Sequence, residues 1–209
     1  MLKFKKIAIA LLSCCILGTS FSSMTVLAAE NTTPIVSDNT IITDNNLNDV
    51  LDYVGVNKND FIRDSSISNG VTTVKELKSA IMQAKHTSTP RSTSQKLLNN
   101  DFRASGTKSM TQTFDVDAYT IDLTVSANYS GKSWTSVNGV SASVDSAQLV
   151  ITYKIDSQDL SATCSSSKIT ASGTVYVQAY VGVGDLGLIK VGDPQSNQLR
   201  ANYYASNYL

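Results

Sequence analysis

The segment from Tyr119 to Tyr129 constrains this chain most. Tyr119, Ile121, Leu123, Val125, Ala127 and Tyr129 alternate without a break with Thr120, Asp122, Thr124, Ser126 and Asn128. A period of two sends successive side chains to opposite faces of a strand, so this strand has one dry face and one wet one. Lys168 to Val183 repeats the pattern, with Ile169, Ala171, Val175, Val177, Ala179, Val181 and Val183 on one side. Gly173 within it predicts a bend. Phe114, Val116 and Ala118 have the opposite parity, which predicts a bulge or tight bend near Ala118–Tyr119.

Turn signals divide the remainder. Asn138-Gly139, flanked by Trp134–Val137 and Val140–Val144, predicts a type I′ hairpin. Ala147, Leu149, Ile151, Tyr153 and Ile155 read as a strand, 156–159 as a turn, and 160–164 as a short strand. Gly184–Gly187 and Gly192–Pro194 read as turns around a strand at 188–191, and Leu199, Ala201 and Tyr203 mark the last strand. About eight strands with short connections and no intervening helix predict an antiparallel β-sandwich, with a β-barrel as the alternative.

Upstream the period becomes helical. Leu47, Val50, Leu51 and Val54 form one face of a short helix that Gly55 is placed to end. A turn of helix is expected over 58–63, then a loop to Gly70. Thr73-Val74-Lys75-Glu76 is a capping box opening a second helix with the stripe Val74, Leu77, Ile81 and Ala84.

The N-terminus reads as a secretory signal. Lys3, Lys5 and Lys6 precede an apolar stretch, and small residues lead to cleavage after Ala28 or Ala29. Lipidation at Cys14 is disfavoured, because Leu12 is bulky for a lipobox and apolar sequence continues past the cysteine. The expected organisation is a signal peptide over 1–29, a disordered leader over 30–45, a small helical segment over 46–86, a basic Ser/Thr-rich linker over 87–108 and the sandwich over 109–209. Removing residues 1–29 takes three of the seventeen basic residues and none of the seventeen acids, leaving a net charge of −3. That balance argues against nucleic-acid binding, which needs a basic surface.

Catalytic residue sets are scarce. His86 is the lone histidine, and it sits at a helix end. Cys164 is the lone cysteine after the signal, so the mature chain has no internal disulfide. Its strand parity with Leu160 and Ala162 predicts a small buried residue. One His and one Cys cannot furnish a zinc site. Asp115, Asp117 and Asp122 share a wet face and are the candidate oxygen ligands for calcium, against the alternative of an ordinary charged surface. An Asp-based hydrolase would have to draw on the same residues.

Eight of the nine tyrosines lie in the sandwich. Tyr176 and Tyr180, with Gln178 between them, are placed on an outer face where rings stack on sugars or anchor a partner; cross-strand packing is the alternative. Trp134 is a second candidate, with core packing as its alternative. The expectation is a secreted, extracellular, non-enzymatic binding protein for a cell-surface glycan, cell-wall polymer or protein. The alternative is a membrane-active antibacterial or toxin-like protein with 30–108 as a pro-region, since weakly charged amphipathic strands can also line a pore.

Overall fold

The alternating segments become strands, and the strands form two sheets. The computed structural model describes residues 35–67, 69–86, 89–96 (backbone alone for 94–96), 104–146 and 150–209. The signal segment with Ala28 and Ala29, the strand positions Ala147 and Leu149, and much of the linker lie outside these. Two compact units are distinguished, 1–37 and 38–209, and every element belongs to the second.

In chain order the elements are α1 (Leu47–Val54), a 3-10 turn (Lys58–Asp60), β1 (Phe61–Arg63), α2 (Val74–Ala84), β2 (Arg91–Lys96), β3 (Ser105–Asp115), β4 (Thr120–Ser130), β5 (Ser133–Asp145), β6 (Ile151–Cys164), β7 (Lys168–Val183), β8 (Gly187–Tyr204) and α3 (Ala205–Tyr208). One sheet has the order β2-β3-β4-β5 and the other β1-β8-β7-β6, and all pairs are antiparallel. This is the expected sandwich. Met110, Ile121, Leu123, Val125, Ile169, Val175, Val181, Ile189 and Tyr203 fill its interior.

Three turn expectations are corrected. Asn138 and Gly139 lie inside β5, where Ser126 pairs with Gly139 and Ala127 with Val137. Asn138 is therefore the extra residue of a bulge. Its amide exchanges two 2.9 Å hydrogen bonds with Asn128, which holds it on the sheet. The hairpin lies earlier, at Gly131 (φ 57), where Ser130 faces Ser133 across a two-residue loop. Likewise Asp156 is a bulge within one long β6, not part of a turn. Residues 192–194 are an irregularity inside β8: Val177 faces Gln195 and Ala179 faces Val191, so three residues stand against Gln178 alone. The bend expected near Ala118–Tyr119 takes the form of the tight β3–β4 reversal, where Asp117 has φ 55.

Gly173 is needed for close approach. A Cβ there would lie 2.0 Å from the Asp159 carbonyl oxygen on the neighbouring strand.

The N-terminal segments join the same fold. β1 extends the second sheet beside β8, and Val71 pairs with Val183. Gly55 ends α1 with φ 71, and the capping box of α2 forms with both of its bonds. Residues 38–42, within the segment that composition reads as a disordered leader, accept from the first free amides of α2. Val74 N donates to Thr40 O at 3.1 Å and Lys75 N to Asp38 O at 2.9 Å, while Ile42 is buried. Such bonds satisfy donors that a helix start leaves unpaired. Part of the expected linker is strand: β2 and the first residues of β3.

Candidate functional site

Three chain reversals meet at one end of the sandwich. The β4–β5 hairpin presents Lys132 and Ser133. The β6–β7 turn presents Ser166 and Ser167, and it is locked by Ser165, whose hydroxyl accepts from Lys168 N at 3.1 Å and donates to Lys168 O at 2.9 Å. The chain then leaves β8 at Tyr204 and enters α3. Backbone bonds tie these parts together: Trp134 N donates to Ser166 O at 3.0 Å, and Ala205 N to Ser167 O at 2.8 Å. Positions so far apart in sequence thereby gain fixed mutual geometry.

An aromatic floor lies beneath. Trp134 is buried and its indole N–H donates to Tyr203 O at 3.2 Å. Its ring lies 6.4 Å from both Tyr129 and Tyr208. The Tyr203 hydroxyl donates to Leu123 O at 2.8 Å, and burial pushes its ionisation well above the ordinary value. Lys108 donates to the Tyr208 carbonyl. The Trp134 indole and the Tyr203 hydroxyl are thereby satisfied, whereas the buried Tyr208 hydroxyl has no hydrogen-bond partner among the described residues.

Above the floor is a groove of about 600 Å³ lined by Lys132, Ser133, Ser166, Ser167, Tyr204, Ala205, Ser206 and Leu209. Tyr204 is 48% exposed. The side chains of Lys132, Ser133, Ser166, Ser167 and Tyr204 have no hydrogen-bond or ion-pair partner among the described residues. No carboxylate side chain, imidazole or thiol lines the groove among the described residues.

The residues singled out from sequence fall elsewhere. Trp134 takes the core-packing alternative and only supports the groove from below. Tyr176, 39% exposed, and Tyr180 are on the outer face of β7, and Lys154 Nζ sits 5.6 Å from the Tyr180 ring centre. Gln178 does not present itself between them. It is fully buried, its amide donating to Ala179 O and Val191 O at 3.0 Å and to Gly192 O at 3.3 Å. The irregularity at 192–194 contributes to this, because it leaves the Val191 and Gly192 carbonyls beside the Gln178 amide.

The three aspartates are not gathered. Asp115 accepts from the Asp117 backbone at 3.1 Å, while Asp122 accepts from the Thr113 hydroxyl at 2.6 Å within the sheet face. No group of three carboxylate, imidazole or thiol ligands comes together among the described residues. Cys164 is exposed, contrary to the parity argument, because β6 is an edge strand with no neighbour on its outer side. His86 is exposed, and its carbonyl accepts from Gln195 at 3.5 Å.

The groove residues Tyr204, Ser166 and Ser167 went unnoticed in the sequence. Serine in turns carries no periodic signal, and nothing local marks which turns will meet. Compared with known protein families, curated proteins and solved structures, the chain matches none.

Proposed function

We propose that this is an exported, non-enzymatic binding protein that takes a surface glycan or cell-wall polymer at the groove. One observation carries the reading: a concave site gathers four polar side chains and an exposed tyrosine that have no hydrogen-bond or ion-pair partner among the described residues. Hydroxyls and an exposed ring are what a sugar needs, hydrogen bonding around its rim and stacking on its apolar face. General acid–base work commonly uses a carboxylate side chain or an imidazole, and the described lining residues supply neither. Serine–lysine chemistry needs a neutral lysine amine accepting from a serine hydroxyl, and Lys132 makes no hydrogen bond to a serine among the described residues.

The test is binding of residues 30–209 to insoluble polysaccharides and immobilised glycans, with Tyr204→Ala as the probe. Losing a stacked ring should weaken binding about tenfold while the unfolding midpoint stays close to wild type. Undiminished binding by the variant would remove the site. Dye release from lipid vesicles in place of glycan binding would favour the membrane-active reading.

A further inference from the structure

Charge is unevenly spread around this groove. Strand register puts Lys168 opposite Tyr204 and Arg200 opposite Ser172, all on the outer face of the β6–β7–β8 sheet. Between the Ser161–Ser172–Arg200 row and the groove, the outward positions are Thr163, Thr170, Asn202, Lys168 and Tyr204. No carboxylate stands among them, and Asp159 begins the acids one outward row further on. Lys132 adds a third cation in the groove itself. None of the three has an ion pair or side-chain hydrogen bond among the described residues.

The opposite sheet's outer face mixes the signs, with Asp115, Asp122 and Asp145 beside Arg91, which faces Asp115, and Lys96 at the register position of Thr111. The stretch from the groove to Arg200 differs in carrying cations with no carboxylate side chain between them. Arg200 and Tyr204 are separated by roughly 13 Å at strand rise, so the cations form a track leading out of the groove along the sheet. Unpaired like charges held along one path attract a ligand that carries negative charge at intervals.

We propose that the ligand is an acidic polysaccharide, lying in the groove and continuing over Lys168 toward Arg200. This rests on the glycan reading above and adds the charge of the ligand and the direction of its chain. The recognised chemistry is a polyhydroxylated backbone with repeated anions, either carboxylates or phosphodiesters. A nucleic acid shares the anions but would meet only one exposed ring in the groove, where single-strand binding needs a series of them.

The experiment compares polygalacturonate with its fully methyl-esterified form, and poly(glycerol phosphate) with neutral dextran, at 50 and 200 mM salt. Tighter binding to an acidic polymer than to its neutral counterpart, by tenfold or more, is expected. Affinity should fall on the order of tenfold between the two salt concentrations if about three anions are engaged. Whichever acidic polymer binds tighter identifies the anion. The combined variant Lys132→Gln, Lys168→Gln and Arg200→Gln should bring acidic binding down to the neutral level. Lys75→Gln on α2 with Lys85→Gln at its C-terminal cap should change nothing. Equal affinity for acidic and neutral polymers, untouched by the triple variant, would overturn this inference and leave the glycan reading intact. Binding to no polysaccharide would overturn both. Equal, salt-sensitive binding to random duplex DNA or to anionic vesicles would replace the polysaccharide with an unselective polyanion surface.

Discussion

At the scale of single residues, Gly173 in β7 and Gly139 in β5 make opposite demands. Gly173 sits where β7 and β6 backbones nearly touch. An added Cβ would meet Asp159 O at 2.0 Å and Leu160 Cα at 2.8 Å, and neither belongs to a side chain that can swing away. Gly173→Ala should therefore cost about 1–3 kcal/mol, as overpacking against fixed atoms does. A urea midpoint within error of wild type would show that the strands can part. Gly139, in the β5 bulge, has nothing within 4 Å of its would-be Cβ and no positive φ. Gly139→Ala should be neutral or stabilising by up to about 1 kcal/mol, since it restricts the unfolded chain without hurting the folded one. Gln178 makes a related point. Alternation placed it correctly on the outer side of β7, but its burial depends on the irregularity of another strand.

At the scale of elements, the N-terminus of α2 has a pH-sensitive device. Glu76 accepts from Thr72 N at 3.0 Å and Thr73 N at 3.1 Å, and these amides hold its carboxyl below the ordinary value of 4.5. A lowered folded-state value means the contribution is complete above the unfolded value and is lost as pH falls through the folded one. Glu76→Gln should thus lower the urea midpoint near neutrality, and the gap to wild type should narrow as pH falls below 4.5 and through the lowered folded-state value. A gap independent of pH would show that the amide-to-carboxylate charge plays no part. Thr73→Ala, which removes the reciprocal half of the box, should cost about 1 kcal/mol at any pH. This cap was legible in the sequence because all its parts lie within four residues. The same is true of α1, of Gly55 and of β4, where one unbroken alternation specifies strand and faces together. β1 and β2 were not legible. Phe61–Arg63 is too short to show a period, and Arg91–Lys96 is wholly polar, so both are strands by virtue of the neighbours they pair with. Asn138-Gly139 misled for a related reason: the pair tolerates a hairpin turn and a bulge alike, and the partner Asn128 decides. Of the candidate site, Tyr176 and Tyr180 were legible as outward rings, whereas the groove depends on three distant reversals meeting.

At the scale of the whole molecule, the arrangement bears on whether the N-terminal part is a separable pro-segment. β1 closes one edge beside β8, Val71 pairs with Val183, and β2 forms the edge of the other sheet. Without these, β8 and β3 would each expose a row of unpaired amides and carbonyls, and apolar residues such as Val183 and Ile189 would lose their cover. Strand edges of that length are aggregation-prone. Chain scission between Lys96 and Ala104, through an introduced site for a specific protease, leaves β1 and β2 on one fragment and β3–β8 on the other. The two fragments should stay together, co-eluting as one species in gel filtration and unfolding in a single transition. The larger fragment expressed alone should be insoluble or lack a cooperative transition. If it instead separates, stays folded and binds as the intact protein does, the N-terminal part is a removable attachment. The sandwich would then be complete at 104–209, and the edges of β3 and β8 would need some other protection.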